Sequence, residues 1–258
     1  AYYFLKRYHV GYVALEKERM RKIDKIETTL YRLPLPEAVE AASSGVMTDI
    51  DMVMVRLWDS DGAEGCGYNP LFANQGAALV EIINNVCADI VMQEDPSRIE
   101  WIWHRMWRRL HYAGRGGPVS FAIAAVDTAL WDLKGNSLGQ PLWRLLGGFN
   151  PEVRAYAGNI DLNFPIDKLL AGADRSLADG FKSIKMRLGK PTLREDLSRV
   201  EAMRNHIGSD IELMADANEA WRPDQALRAL RALREFDLVW VEEPIQPDNF
   251  TAYAHLRN

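Results

Sequence analysis

Residues 182–188 read KSIKMRL, and two related stretches follow, 211–218 (IELMADAN) and 238–244 (LVWVEEP). Each is a short run of apolar residues with charged or polar residues at or near its carboxyl end, the length and make-up of a strand. Upstream, 153–157 (VRAYA) makes a fourth. The four starts, near 153, 182, 211 and 238, are 29, 29 and 27 residues apart. Helical segments fill the gaps. One covers 166–179, one runs from the capping box Thr192-Leu193-Arg194-Glu195 to about Ile207, one covers 223–235, and a last begins near 248. Strand–helix alternation at this spacing implies parallel βα units. A doubly wound sheet and a (β/α)8 barrel both fit. No G-x-G-x-x-G follows any of these strands, which weakens a dinucleotide site. Four units make half of a barrel of eight.

The amino-terminal part has a different rhythm. Strands are expected over 23–33 and 51–58, with a turn at Asp59–Gly62 and a returning strand over 63–68. The 14 residues 36–49 between the first two strands read as a long loop, a common form of lid. Helices are expected over 76–93, from Asp95-Pro96-Ser97 through 98–110, from Pro118 to about Lys134, and over 142–146 before Gly147-Gly148. The Pro118 helix is apolar almost all round and should be buried. Trp103, Trp107 and Leu110 are expected to pack against it. The expected organisation is an α+β domain over 20–148, then an α/β domain over 149–258, the first four units of a partial barrel. Residues 1–19 precede Met20, a natural start, and read as an upstream extension.

Composition narrows the function classes. The 258 residues are 48% hydrophobic and 26% charged, ordinary for a globular protein. Lys+Arg 31 against Asp+Glu 36 leaves −5, which argues against general nucleic-acid binding. The aromatic, Arg-rich segment 101–117 (WIWHRMWRRLHYAGRGG) therefore reads as a helix face, not a nucleic-acid patch. Cys66 and Cys87 are the only cysteines, so no disulfide framework is expected. No apolar run reaches the roughly 18–20 residues of a membrane span. The cytoplasm is the default compartment.

Three strand ends carry chemistry. Period two puts Lys185 and Arg187 on one face, opposite Ile184, Met186 and Leu188. Asp216 and Asn218 share a face, and Glu242-Glu243 precede Pro244, which stops its strand. Each has an ordinary explanation: solvated cation heads, turn or capping chemistry, a wet strand terminus. Together they lie at the carboxyl ends of successive parallel strands, where α/β enzymes place their sites. Two carboxylates on neighbouring strands suit Mg²⁺. A metal beside a Lys suits removal of a proton next to a carboxylate, with the metal stabilising the ene-diolate.

The sequence resembles the enolase superfamily, within its mandelate racemase/muconate lactonizing enzyme group. The match spans about Met20 to Asn258 and rests on AAVDTALWDL (124–133), PLWRLLG (141–147), IKMRLG (184–189), MADAN (214–218) and WVEEP (240–244), in that order. The resemblance implies that Asp216 and Glu242 are the first two Mg²⁺ ligands, with the third one strand beyond this chain. Lys185 is similar to the first Lys of the family's Lys-x-Lys strand. Asn218 matches a polar residue near the metal, and Glu243 the more variable second Glu. The amino-terminal part would be the capping domain, whose loop 36–49 and segment 68–74, including Tyr68, would select the substrate.

Arg187 stands where many relatives have a second Lys base. Arginine keeps its proton and is a poor base, but it holds carboxylates and hydroxyls well. The resemblance then points to Lys185 and Arg187 as catalytic residues, Arg187, Asn218 and Tyr68 as substrate contacts, and β-elimination from a small-molecule carboxylate. Dehydration of an aldonate or aldarate is the expected reaction. A racemase, epimerase or cycloisomerase of the same group is the first alternative, and a non-catalytic assembly or binding remnant the second. Without the third ligand and the family's His–Asp base, the 258-residue chain alone is expected to be inactive. The full-length relative is expected to form a homo-oligomer, without nucleic acid or membrane.

Overall fold

The computed structural model describes residues 21–72 and 75–257. They form two compact units. The first takes residues up to Thr29, Val53–Asn69 and Ala78–Leu145; the second takes Leu30–Met52, Pro70–Ala77 and the chain from Leu146 on. The upstream extension expected over 1–19 lies outside the described residues.

A three-stranded sheet, ordered β1 (Ile23–Ala41), β2 (Gly45–Asp59) and β3 (Glu64–Leu71), contributes to both units. The loop expected over 36–49 is a correction: β1 and β2 continue through it as a long hairpin arm, turning just before Gly45, whose φ is +69°. Pro34 and Pro36 masked this strand in the sequence. They are tolerated because β1 is an edge strand and need not donate at every residue.

In the first unit, α3 (Ile99–Leu110) and α4 (Pro118–Leu138) supply most of the helical core. Asp95-Pro96-Ser97 is an Asx turn, not the first helical turn, because Asp95 Oδ1 accepts the Ser97 N–H at 2.8 Å. Ile99, Ile102, Met106 and Leu110 form the buried face of α3, while Trp103 and Trp107 are exposed; the expected inward tryptophans are corrected. Trp107 instead stacks between His104 and His111 along the helix surface. The remaining helix of this region bulges: α1 (Gly76–Ile82), a π turn (Ile83–Cys87) and α2 (Ala88–Val91). Cys87 is buried there, and burial pushes its thiol up to about 12. Helix α4 sits directly on β3. A Cβ at Gly65 would lie 2.2 Å from the Ala129 carbonyl oxygen, and one at Gly67 2.1 Å from that of Ala125. Only glycine permits this approach. The short α5 (Leu142–Leu145) follows.

The second unit contains the parallel sheet β4 (Ala157–Gly158), β5 (Ser183–Arg187), β6 (Glu212–Asp216) and β7 (Leu238–Glu242), in that order. Helices α6 (Ile166–Ala178), α7 (Leu193–Ile207) and α8 (Pro223–Leu233) link the strands, and α9 (Phe250–Leu256) follows β7. Strand β4 is shorter than the expected 153–157, because its ladder with β5 covers only Ala157 and Gly158. The capping box of α7 is complete, with Glu195 N–H donating to Thr192 Oγ1 at 3.3 Å and Thr192 N–H to Glu195 Oε2 at 2.9 Å. Ile184, Met186 and Leu188 of β5 join Leu213, Ala215 and Ala217 in the core packed by Leu169, Val200, Met203 and Leu233 from the helices. At the opposite end of these strands Arg204 donates to the carbonyls of Phe236, Gly208, Ile211 and Asp237, satisfying turns that would otherwise lack donors. The sheet curls: the rings of Tyr156, just before β4, and Trp240, on β7, meet edge to face at 5.6 Å.

The hairpin arm belongs to this unit. Asn163 donates to the Ala38 carbonyl at 3.0 Å, and Lys168 pairs with Glu37. Gly189 (φ +114°) leaves room for Ala42, whose Cβ would be 2.8 Å from a Cβ at that glycine. At the arm's base, buried Asp51 accepts from Arg32 Nε at 3.0 Å and from the Gly76 N–H at 3.1 Å.

Candidate active site

Register brings the predicted strand-end residues into one row. Arg187 pairs with Asp216 across β5 and β6, and Asp216 with Glu242 across β6 and β7. Lys185, two residues before Arg187, shares its face. Its ammonium reaches Asp216 Oδ2 at 3.2 Å and Glu242 Oε2 at 2.8 Å, so one cation spans three strands. Arg187 Nη1 donates to the same Asp216 oxygen, and its Nε donates to the Asn159 carbonyl at 3.1 Å. Lys185 is only 7% exposed and Asp216 1%, so solvated heads do not describe this strand end. Tyr156 lies under the Lys185 ammonium, 5.6 Å from ring centroid to Nζ.

Asp216 divides its two oxygens. Oδ2 faces the cations, while Oδ1 accepts the Asn218 N–H at 2.9 Å, so the turn explanation and the functional one both hold. Asn218 has φ +43°, and its Nδ2 donates to Glu243 Oε2 at 3.1 Å. Glu243 therefore braces Asn218 rather than joining Asp216 and Glu242. Burial acts to raise the Glu242 carboxyl, but the hydrogen bond and charge of Lys185, with smaller help from Trp240 and Arg187, bring it below the usual carboxylate range. Trp240 Nε1 lies 3.4 Å from Glu242 Oε2. Tyr68, on β3 in the first unit, is 57% exposed.

The donor set fits a hard divalent cation. Two carboxylates on adjacent strands already turn oxygens toward one positive charge. The Asn218 Oδ1 is a further buried oxygen without a hydrogen-bond partner. Mg²⁺ commonly takes one or two carboxylates and completes its shell with water or substrate. Among the described residues, no cluster of three His, Cys, Asp or Glu stands ready to hold a metal.

Several residues of this neighbourhood carried no legible sequence signal. Asp161, after β4, accepts the Arg187 N–H, and Asp196 and Arg199 of α7 hold the adjoining loops. A cavity of about 370 Å³ opens beside them, lined in part by Val39, Asn159, Asp161, Phe164, Lys168 and Arg175.

Family comparisons agree with this fold. Residues 25–147 match the mandelate racemase / muconate lactonizing enzyme N-terminal domain, and 168–258 match the enolase C-terminal domain-like family. The chain belongs to the enolase superfamily, in its mandelate racemase / muconate lactonizing enzyme group. It is 48% identical to the 3,6-anhydro-alpha-L-galactonate cycloisomerase of Streptomyces coelicolor, over 91% of this chain and 65% of that protein. It is 31% identical to the L-talarate/galactarate dehydratase of Salmonella typhimurium, over 91% of this chain and 60% of that protein. A crystal structure of a Streptomyces coelicolor racemase with bound magnesium superposes with a TM-score of 0.89 at 48% identity, covering 91% of this chain and 66% of that one. The chain thus spans less than two thirds of the length of these curated relatives, and its four βα units correspond to a partial barrel of the superfamily fold. No helix among the described residues is long and apolar enough to cross a membrane.

Proposed function

We propose that this chain carries the first half of a magnesium site that removes the proton next to the carboxylate of a sugar acid. The observation that carries the proposal is the row formed by Lys185, Asp216 and Glu242, in which one ammonium lies within 3.2 Å of two carboxylates from neighbouring strands. Asp216 and Glu242 would hold Mg²⁺, with Asn218 beside them. Bound there, Mg²⁺ would stabilise the negative charge that develops on the substrate carboxylate as its α proton leaves.

The chain's own groups divide the remaining work. Lys185 would be the base or the electrostatic partner of the substrate carboxylate, since its ammonium is nearly buried and lies against the two carboxylates that would hold the metal. Arg187 stays protonated and grips a carboxylate or hydroxyl. With no second lysine at position 187, loss of a β oxygen is favoured over racemisation. Where that oxygen is a hydroxyl, the C–O bond breaks, water leaves and the reaction is a dehydration. Where it belongs to an anhydro ring, the same elimination opens the ring and the net change is an isomerisation. The similarity to a dehydratase supports the first outcome and the 48% similarity to an anhydro-sugar-acid cycloisomerase supports the second.

The test is calorimetric titration with Mg²⁺, followed by ¹H NMR of aldarates, aldonates and 3,6-anhydro aldonates in D₂O. Saturable Mg²⁺ binding that disappears in Asp216→Asn and Glu242→Gln supports the metal assignment; its absence in the unaltered protein overturns it. Deuterium entry at carbon 2 that needs both Mg²⁺ and Lys185 assigns the base. Metal binding without exchange places the base elsewhere in the family's barrel.

A further inference from the structure

The Arg187 N–H points toward β4, but β4 has already ended. Its last ladder partner, Gly158, pairs with Lys185, two residues earlier. A partly buried N–H left there would lack an acceptor, at a cost comparable to a lost hydrogen bond. Asp161 fills the gap, with Oδ1 accepting the Arg187 N–H at 2.9 Å. A side-chain carboxylate thus continues the ladder for one residue after the strand has turned away.

That carboxylate is itself held. Arg199 of α7 donates to the Asp161 carbonyl at 2.9 Å and to the Phe164 carbonyl at 2.6 Å, and lies 3.8 Å from Asp161 Oδ1. One turn earlier on α7, Asp196 accepts the N–H groups of Gly189 and Lys190, each at 3.1 Å. Asp161 is 2% exposed, Asp196 0% and Arg199 4%. Helix α7 therefore clamps the loop on either side of the Arg187 strand end, one with a cation and one with a carboxylate. Charged groups this deeply buried are expensive unless paired, and a simple loop staple does not require three of them.

We propose that Asp161, clamped by Arg199 and Asp196, is a positioning residue that sets the orientation of Arg187 on Asp216. Its bearing on catalysis rests on the function proposed above. The chain of contacts is direct: Asp161 fixes the Arg187 backbone, the Asn159 carbonyl in the same loop fixes its Nε, and its Nη1 meets Asp216. The negative charge of Asp161 is secondary in this role; the acceptor oxygen is what Arg187 uses.

The experiment compares Asp161→Asn with Asp161→Leu in the whole 258-residue chain, labelled with ¹⁵N. The readouts are amide exchange at Arg187 and the Nε–H resonance of its side chain. In Asp161→Leu, exchange at Arg187 is expected to rise about tenfold, and the Nε–H signal to move toward that of a free guanidinium. Met186 and Leu188 are expected to keep their exchange rates. Asp161→Asn retains an acceptor and is expected to restore both Arg187 signals. The proposal is overturned if Asp161→Leu leaves Arg187 unchanged, if exchange rises equally along β5, or if Asp161→Asn behaves like Asp161→Leu. Should the leucine variant not fold, a through-hydrogen-bond coupling between the Arg187 amide nitrogen and the Asp161 carboxyl carbon is expected in the unaltered protein, and its absence is equally decisive. None of these readouts uses Mg²⁺, so a failed metal titration would strike the proposed function and leave this inference standing.

Discussion

The two compact units have opposite interiors. In the first, an apolar helix rests on backbone, with α4 touching β3 through Gly65 and Gly67. In the second, the inner face of the sheet carries Lys185, Arg187 and Asp216, and a buried triad of Asp161, Asp196 and Arg199 stands behind it. The first interior is specified mainly by volume, while the second adds buried charge pairing to an apolar core that includes Ile184, Met186, Val200 and Leu213. A protein whose role were purely structural would gain nothing from the second arrangement, since apolar replacements of buried ion pairs are often as stable or more so.

Substitutions should separate the two regimes. The largest effect is expected from Asp216→Ala, which takes from Arg187 its ion-pair partner and leaves Lys185 only Glu242; breaking a buried ion pair costs about 3–5 kcal/mol. Denaturant unfolding should show it, with the loss confined to protection of the second unit in hydrogen exchange. Gly67→Ala should destabilise the first unit by about 1–3 kcal/mol, because the new methyl meets backbone atoms that cannot rotate away. If instead Asp216→Ala were harmless and Gly67→Ala severe, charge pairing would not be what organises the second unit.

Acidity gives a subtler contrast. Burial pushes Asp161 and Asp196 up to about 6, although each accepts backbone N–H bonds and faces Arg199, and Arg187 also faces Asp161. A carboxyl with a raised folded-state value favours folding most when protonated. Its contribution is fully present below about pH 4 and is lost as the pH rises through about 6. Asp161→Asn and Asp196→Asn should therefore each flatten the stability profile between these values, an effect on the order of 1–3 kcal/mol. Smallest of all, Thr192→Ala removes half of the α7 capping box, at about 1 kcal/mol, measurable as a shift in unfolding midpoint.

The same contrast explains what the sequence revealed. The parallel units were legible because each strand is short, apolar and spaced by a helix with clear stop and start residues. Lys185, Arg187, Asp216 and Glu242 stood out because charge at the end of an apolar strand is unusual, and the register then aligned them. The hairpin arm was hidden by Pro34 and Pro36, which mimic a loop until the strand is known to be an edge. The α3 face is ambiguous in sequence because Trp103 and Trp107 share a helical spacing as regular as that of Ile99, Ile102 and Met106, and only the latter set turns inward. Asp161 and Arg199 were invisible: they lie 38 residues apart, and nothing local distinguishes either from a surface charge.

The central claim is that Lys185 occupies ground a divalent cation can share with Asp216 and Glu242. Thermal unfolding of Lys185→Met with and without Mg²⁺ tests it most directly. Removing the ammonium leaves the Glu242 carboxylate without its main cationic partner, so Mg²⁺ should raise the unfolding midpoint of this variant more than that of the unaltered protein, and should do nothing for Asp216→Asn. A Lys185→Met protein that ignores Mg²⁺, or an Asp216→Asn protein that still responds to it, would contradict the assignment.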